Sequence, residues 1–441
     1  MGSPGTRTRI RGRRTTRPEV VAPFTLGRLP RIRFGAGRLA ELPEVVAENG
    51  SRLLIVTGGG TVRRLPHWPR LLAGLDERGL TWAQASVSGE PTPDEVDEIV
   101  AIQRPAGIEV VVGIGGGSAL DTAKAVAGLL PGGRSVRDHL EGVGPGLPFS
   151  GPTLPFIAVP TTAGTGSEAT RNAVLTERGP HGFKRSFRDE RLVAVEAVVD
   201  PDLLIGAPPA LIAANGLDAL TQLLESYVSL RAGRATDALA LDGLAAVRDA
   251  LPAWHAAASA RDRALEASTG SSGPRAAPEP VGPEEGSAEA RAAMAYGALL
   301  SGICLANAGL GAAHGLASPL GAHLPIPHGA ACGAVLEAVV EANIAALTAR
   351  SPEASALDRY ARLGRILAGV PEAAADDEAR AALARWVSDL CRRLAIPGLG
   401  TFGLDRADIP TIVAESRGSS MRTNPVDLSD AEVAGILERS L

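Results

Sequence analysis

A glycine-rich junction between a predicted strand and a predicted helix lies at residues 110–124 (VVVGIGGGSALDTAK). The β-branched run before the glycines is typical of a buried strand, and the Ala/Leu-rich segment after them is typical of a helix. Because glycine lacks a Cβ, the backbone here can approach a phosphate, and the unpaired amides of the first helical turn favour an anion. Ser118 supplies a hydroxyl donor, and Asp121 an acceptor suited to a ribose or to bracing the loop. A purely structural turn could carry the same glycines, but this spacing favours a nucleotide site.

Composition narrows the class of protein. A chain of 441 residues, 45% hydrophobic and 21% charged, is long enough for two globular domains. A net charge of −5 and 3% aromatic residues argue against a nucleic-acid partner. No stretch approaches the roughly 20 apolar residues of a transmembrane helix, so we expect no membrane partner. Cys304, Cys332 and Cys391 lie outside any CxxC pattern, which favours free buried thiols in the cytoplasm over disulfides or a zinc cluster.

The basic residues are unevenly distributed. Residues 1–21 begin the chain with six arginines among the first 18 positions, and no apolar run follows that would indicate a secretory signal. We expect a disordered basic tail there, with an anion-binding arm as the alternative. Only two lysines occur, Lys124 and Lys184. In a chain so rich in arginine, they indicate places where a compact ammonium fits and a guanidinium does not.

Residues 22–204 alternate between strand-like and helix-like segments. This order predicts an α/β domain with a Rossmann-like parallel sheet covered by helices on both faces. We expect a strand pair at 24–35, strands at 53–57, 82–87, 110–114, 156–160 and 193–199, and helices at 65–78 and 93–103. A second loop rich in hydroxyls and glycines, residues 161–168 (TTAGTGSE), follows the strand at 156–160.

Residues 205–441 have a different character, dominated by Ala/Leu-rich helical patterns. They predict an all-α second domain with helices at 208–227, 235–258, 289–308, 310–322 and 330–348. Residues 268–286 (STGSSGPRAAPEPVGPEEG) have no apolar periodicity, and we expect a disordered surface insertion there.

Four polar residues of the helical part could hold a divalent cation. Asp218 and Gln222 are four residues apart, hence on one face of a helix, while His314 and His328 lie in two later helices. Oxygen and nitrogen ligands from three helices could enclose one ion. In the alternative interpretation, Asp218 forms a local hydrogen bond and each histidine is an ordinary core residue.

The motifs together resemble the iron-containing (group III) alcohol dehydrogenases, which share the dehydroquinate-synthase-like fold. The matching stretches follow one another in the family's order from about residue 22, leaving out the basic tail and the insertion. They are residues 115–124 (GGGSALDTAK), 160–168 (PTTAGTGSE), 199–203 (VDPDL), 216–221 (GLDALT), 307–311 (NAGLG) with His314, 326–329 (IPHG) and 422–425 (RTNP).

The resemblance implies a two-domain oxidoreductase that binds NAD or NADP in its first domain and a divalent metal, Fe²⁺ or alternatively Zn²⁺, in its second. The dinucleotide would be held by Gly116, Gly117, Ser118, Asp121, Thr161, Thr162, Thr165 and Lys184. Three of the family's four metal ligands match Asp218, His314 and His328.

Three positions depart from the family pattern. Gln222 stands where most members have a histidine ligand, and an amide oxygen is a weaker donor toward iron or zinc. Ser318 replaces a second histidine, which in the family lies near the substrate and the proton path. Gly58 replaces an acidic residue that binds the adenosine ribose, and this change permits a 2′-phosphate and hence NADP.

We therefore expect reversible reduction of a small aldehyde or ketone to the alcohol, with hydride transferred from the nicotinamide to the carbonyl carbon. The product oxygen would gain its proton through ribose hydroxyls and water, because Ser318 does not titrate. We expect His323 at the surface, with assistance to proton transfer as the alternative, and no catalytic side chain is assigned. Two other functions stay open: a metal-independent oxo-acid reductase like maleylacetate reductase, and a cofactor-binding pseudoenzyme. From the family we also expect a homodimer.

Overall fold

The computed structural model describes residues 23–179, 182–269 and 287–441. The predicted basic tail at 1–21 lies outside these residues, as does nearly all of the predicted insertion at 268–286. Both therefore stay predictions.

A parallel sheet of six strands forms the centre of the first half, with the order β1-β8-β5-β4-β2-β3. Two further strands, β6 and β7, form a separate antiparallel pair. The strands in chain order are Arg31–Phe34 (β1), Arg52–Gly58 (β2), Thr81–Val87 (β3), Val110–Gly115 (β4), Phe156–Pro160 (β5), Asn172–Glu177 (β6), Phe183–Arg188 (β7) and Glu196–Val199 (β8).

Helices cover the sheet on both faces, as the β-branched strands predict. Alternate residues of β2 divide between two apolar clusters: Leu54 and Val56 face one, whereas Leu53 and Ile55 face the other. The helices of this half are Leu42–Ala47 (α1), Thr61–Arg64 (α2), His67–Glu77 (α3), Pro93–Gln103 (α4) and Gly117–Leu129 (α5). The α/β, Rossmann-like fold class is confirmed.

One detail of the sequence prediction was wrong, and one element was missed. The segment 24–35 holds only β1, which pairs in parallel with β8 instead of forming a hairpin. The β6–β7 hairpin was missed, since its two short strands contain polar and charged residues and do not form an apolar run. The helix predicted at 65–78 is present as α3, and the short α2 precedes it; Leu65 between them is extended before Pro66, as residues before proline prefer to be.

The described residues after β8 form helices without a strand. Those helices are Pro209–Val228 (α6), Arg234–Thr269 (α7), Ala288–Ala308 (α8), Ala312–His323 (α9), His328–Arg350 (α10), Ser355–Ala368 (α11), Asp376–Arg393 (α12), Ile409–Glu415 (α13) and Asp430–Arg439 (α14). Each predicted helix is present, and α7 extends beyond its predicted end. One apolar cluster joins Ala197 and Val199 of β8 to the long helices, so the division at residue 204 stays a prediction.

Helix α10 is more apolar than we expected from the sequence. Within the described ranges, α10 is long and apolar enough to cross a membrane, with a mean hydropathy of 1.6, and 67% of that apolar window is buried inside the fold. Helices α8 and α9 pass the same test only as a pair, and they are bent by 101°. A core helix of a globular protein has the same properties, and α10 packs against α6, α9 and α12.

Candidate metal and dinucleotide site

The glycine-rich turn and the hydroxyl-rich loop lie side by side at the carboxyl edge of the sheet. β4 ends opposite the end of β5, where Gly115 pairs with Pro160, and the Thr161 amide donates to the Gly115 carbonyl over 2.9 Å. A Cβ at Gly117 would lie 2.7 Å from Thr165 Cγ2, so only glycine lets the loop pack this closely. The start of α5 and the half-buried hydroxyls of Thr161, Thr162 and Thr165 thus share one accessible edge.

Gly116 and Gly58 complete this edge. A Cβ at Gly116 would lie 3.2 Å from Thr162 Cγ2, which again requires a small residue. Gly58 ends β2, the neighbour of β4, and a Cβ built there meets no atom within 4 Å. The open space beside Gly58 agrees with the room that a 2′-phosphate needs.

Asp121 braces the two loops together. Its Oδ1 accepts a hydrogen bond from Ser167 Oγ at 2.5 Å, and its Oδ2 accepts one from the Val174 amide at 3.0 Å. Of the two roles expected for this carboxylate, bracing is therefore visible in the structure. A contact with ribose stays a prediction, as do the dinucleotide contacts expected of Ser118.

Lys124 is a structural residue. Its side chain is fully buried, and Nζ donates to the Ser167 carbonyl at 2.9 Å, Thr170 Oγ1 at 3.0 Å and the Asn172 carbonyl at 2.8 Å. Burial lowers its pKa, while the nearby Asp121 opposes that shift. The ammonium group of Lys124 thus holds the end of the 161–168 loop in place through Ser167.

Lys184 lies in β7 and reaches a different part of the edge. Its Nζ donates to Glu90 Oε1 over 2.5 Å, and Thr176 Oγ1 donates to Glu90 Oε2 over 2.8 Å. The positive charge of Lys184 also helps to lower the pKa of His328 to about 4, an effect second to that of burial. Lys184 therefore lies close to the predicted metal ligands, and its contact with the dinucleotide stays a prediction.

Three predicted metal ligands come together on three helices. Asp218 of α6 is buried, and its Oδ1 lies 3.2 Å from Nε2 of His314 and 3.9 Å from Nε2 of His328. A Cβ at Gly329 would lie 1.9 Å from the Ala214 carbonyl oxygen, so glycine allows α10 to approach α6 this closely. Nδ1 of His328 is buried without a hydrogen-bond partner among the described residues, and Nε2 is the ring nitrogen that faces Asp218.

A buried carboxylate that the sequence analysis missed orients His314. Glu225 Oε2 accepts a hydrogen bond of 2.6 Å from His314 Nδ1, and its Oε1 accepts one of 2.7 Å from the Ala313 amide. Burial lowers the pKa of His314, but Cys332, Asp218 and Glu225 together raise it well above its usual value. Nε2 of His314 faces Asp218 Oδ1, the side from which a bound cation would contact the ring. Glu225 is seven residues after Asp218 on α6, a helical spacing that could have indicated it.

Gln222 does not offer its amide oxygen to this cluster. Its Oε1 accepts a hydrogen bond of 2.6 Å from Ser301 Oγ, and its amide donates to Asp218. The ligand role of Gln222 therefore stays a prediction. Ser301 Oγ also lies 3.4 Å from the Gly164 carbonyl oxygen, so this chain of contacts connects the 161–168 loop with Asp218.

Cys332 stands where the cluster needs a fourth donor. One ligand atom each from Asp218, His314, His328 and Cys332 can be chosen so that all four lie within 4.8 Å of one another. The expected buried, free state of this thiol is observed, but its place beside two histidines was missed. Its spacing of four residues after His328 on α10 was the available signal. A carboxylate, two imidazoles and a thiol are a donor set that suits a divalent transition metal.

Two other polar residues of α9, Ser318 and His323, are not part of the cluster of predicted metal ligands. Ser318 Oγ donates to the His314 carbonyl over 3.4 Å, which places it one turn after that histidine, as expected. His323 Nε2 lies 2.8 Å from Glu415 Oε2, and its side chain is 31% exposed. The surface position predicted for His323 is thus the observed one.

Comparison with known proteins shows the family of this chain. Residues 30–201 match the model described as iron-containing alcohol dehydrogenase, and residues 283–441 match the C-terminal model of the Fe-containing alcohol dehydrogenase family. This chain belongs to the iron-containing alcohol dehydrogenase family. The resemblance found in the sequence is confirmed, and the chain is an oxidoreductase of the alcohol dehydrogenase type.

Individual relatives cover nearly all of this iron-containing alcohol dehydrogenase. Alcohol dehydrogenase 4 of Schizosaccharomyces pombe is 34% identical over 412 residues, covering 92% of this chain and 87% of the relative. Lactaldehyde reductase of Escherichia coli is 31% identical over 385 residues, covering 86% and 89%. The solved structure of sulfoacetaldehyde reductase from Bifidobacterium kashiwanohense in complex with NAD+ has a TM-score of 0.75 and 27% identity, covering 95% of this chain and 99% of that one.

Proposed function

We propose that the protein catalyses the reversible reduction of a small aldehyde to its alcohol, using a nicotinamide dinucleotide and a divalent metal. The observation that carries this proposal is the chain of contacts from the Gly164 carbonyl through Ser301 and Gln222 to Asp218. It places a cluster of metal-binding donors next to the loop that packs on the glycine-rich turn. A dinucleotide on that turn and a substrate oxygen at the cluster would meet in the same cleft.

Each part of the site has a separate task. The start of α5, with Gly116, Gly117 and Ser118, binds the pyrophosphate through backbone amides and a hydroxyl. Thr161, Thr162 and Thr165 hold the phosphates and the nicotinamide side of the dinucleotide. Asp218, His314 and His328 hold the cation. When bound, the metal supplies Lewis acidity toward the carbonyl oxygen and the reduced dinucleotide supplies the hydride.

The protein contributes positioning and the exclusion of water. Asp218 and His314 are almost fully buried, so charges at the cluster act in a medium of low dielectric constant. Ser318 carries no group that titrates near neutral pH, so the product oxygen takes its proton through ribose hydroxyls and water. The substrate is a short aldehyde. The relatives named for lactaldehyde and sulfoacetaldehyde support this size class.

Three further properties belong to this proposal. NADP is accepted as well as NAD, because no carboxylate follows β2. The protein is a homodimer, supported by the free edge of β1 and by the exposed apolar side chains of Phe24, Leu26 and Ile32 nearby. It acts in the cytoplasm, which its free thiols favour. Residues 22–204 form the dinucleotide-binding domain and residues 205–441 the metal and substrate domain.

The test follows the absorbance of NADH and NADPH with a panel of short aldehydes, on protein stripped by a chelator and on protein reloaded with Fe²⁺ or Zn²⁺. We expect turnover only with reloaded protein. Full activity of stripped protein, above all with oxo acids, would favour a metal-independent reductase. Dinucleotide binding without turnover on any substrate would indicate a pseudoenzyme.

A further inference from the structure

We propose that the Cys332 thiolate is the fourth protein ligand of the metal, together with Asp218, His314 and His328, and that it takes the place of Gln222. This inference rests on the proposed metal-dependent function. It makes the ligand set one carboxylate, two imidazoles and one sulfur, instead of the carboxylate and three imidazoles expected of the family.

The distances fit such a set. Asp218 Oδ1 lies 3.2 Å from His314 Nε2, 3.9 Å from His328 Nε2 and 4.0 Å from Cys332 Sγ. Metal–ligand bonds of 2.0–2.3 Å in a tetrahedron separate the ligand atoms by about 3.3–3.8 Å. All four ligand atoms lie within 4.8 Å of one another, so metal binding requires them to approach by about 1 Å or less.

The position of Cys332 in the fold also favours this role. His328 and Cys332 are four residues apart on α10, hence on the same helix face, and that face packs against α6. Cys332 is 0% exposed, and its sulfur lies within hydrogen-bonding distance of the Asp218 carboxylate. Two imidazoles, a carboxylate and a sulfur thus converge from three helices on one buried point.

Gln222 is committed elsewhere. Its amide oxygen accepts from Ser301 and its amide nitrogen donates to Asp218, so this side chain fastens one ligand in place. The arrangement assigns Gln222 a positioning role and leaves the fourth ligand to another residue.

Ligand chemistry supports the same assignment. A thiolate is a negatively charged donor and binds a divalent transition metal more strongly than a neutral amide oxygen does. A soft sulfur ligand also favours Zn²⁺ or Co²⁺ over harder ions such as Mg²⁺ and Mn²⁺. The thiol loses its proton to solvent when the metal binds.

Cobalt substitution tests this assignment directly, because a thiolate on Co²⁺ produces a near-ultraviolet charge-transfer band that nitrogen and oxygen ligands do not. Full-length protein is stripped, reloaded with one equivalent of Co²⁺, and scanned as wild type, Cys332→Ser, Gln222→Leu and Cys304→Ser. Cys304 is the matched control, since it is equally buried, packs in an apolar cluster and donates to the Thr236 carbonyl. Chelator competition gives the Co²⁺ affinity of each variant, and circular dichroism checks that each is folded.

We expect the band in the wild type, in Cys304→Ser and in Gln222→Leu, and its loss in Cys332→Ser with an affinity at least about tenfold lower. Stoichiometric Co²⁺ binding without the band in the wild type would overturn the assignment and leave the proposed function intact. The same holds if Gln222→Leu loses the metal while Cys332→Ser keeps it. Failure of the folded wild type to bind any divalent metal would overturn the proposed metal dependence as well. If Cys332→Ser does not fold, the wild-type band and the Gln222→Leu spectrum decide.

Discussion

Glu225 Oε2 accepts a 2.6 Å hydrogen bond from Nδ1 of His314, and both side chains are buried. This contact fixes the ring so that Nε2 points toward Asp218. It is the carboxylate–histidine pair that commonly supports a metal ligand, and such outer contacts tune metal affinity.

We expect Glu225→Gln to weaken Zn²⁺ binding by about 10–100-fold, because the neutral amide holds the imidazole less firmly and makes it less basic. Competition with a chromophoric chelator measures the change. Glu341→Gln is the control, since Glu341 forms an exposed ion pair with Arg439. Equal affinities of Glu225→Gln and wild type would contradict the role given to Glu225.

Gly117→Ala should weaken NADH binding, because the new Cβ would lie 2.7 Å from Thr165 Cγ2 and would push the hydroxyl-rich loop away. Overpacking of this kind costs about 1–3 kcal/mol, or roughly one to two orders of magnitude in affinity if it falls on the bound state. Fluorescence titration with NADH measures it. Gly133→Ala, where a Cβ meets no atom within 4 Å, should bind like the wild type.

Gly58→Asp should shift the preference from NADPH toward NADH by at least about tenfold in the ratio of kcat/KM values, because a carboxylate repels a 2′-phosphate and accepts from a ribose hydroxyl. The side chain has room, since a Cβ at Gly58 meets nothing within 4 Å. Initial rates with both dinucleotides test this. An unchanged ratio would show that the adenosine ribose binds elsewhere.

Glu168 should make stability depend on pH. Burial raises its pKa to about 7, against the weaker opposing effects of a backbone hydrogen bond and Lys124. The folded state therefore holds this proton more tightly than the unfolded chain does. Its stabilising contribution is complete below about pH 4.5 and is lost as the pH rises through about 7, by about 3 kcal/mol in total.

The measurement is the free energy of unfolding in urea at pH 5 and pH 8 for the wild type and Glu168→Gln. The wild type should lose more stability across this interval than the variant, because the amide does not titrate. Parallel pH profiles for the two proteins would refute the raised pKa.

The sequence predicted the sheet well because its strands are buried runs of β-branched residues, as at residues 110–114 and 156–160. It failed where structure depends on contacts distant along the chain. β1 pairs with β8 more than 160 positions away. The local β6–β7 hairpin was also missed, because its strands mix polar, charged and apolar residues.

The candidate site was likewise predicted from the sequence only in part. Asp218, His314 and His328 could be named from motifs, and the structure brings them together. Glu225 and Cys332 could not be named from motifs, because their roles depend on how α6, α9 and α10 pack. Each does have helical spacing to a predicted ligand, Glu225 to Asp218 and Cys332 to His328. Gln222 was predicted as a ligand from its spacing to Asp218, and only the structure shows that its oxygen also accepts a hydrogen bond from Ser301.

The convergence of α6, α9 and α10 on one point has a further consequence. An ion held there joins segments about a hundred residues apart in sequence, and thus acts as a removable cross-link on the second half of the chain. Because binding to the native state alone raises its stability with the logarithm of free metal, the melting temperature should report site occupancy. Thermal stability and metal supply would then be linked, so that loss of the ion lowers both the stability of the fold and the catalytic activity.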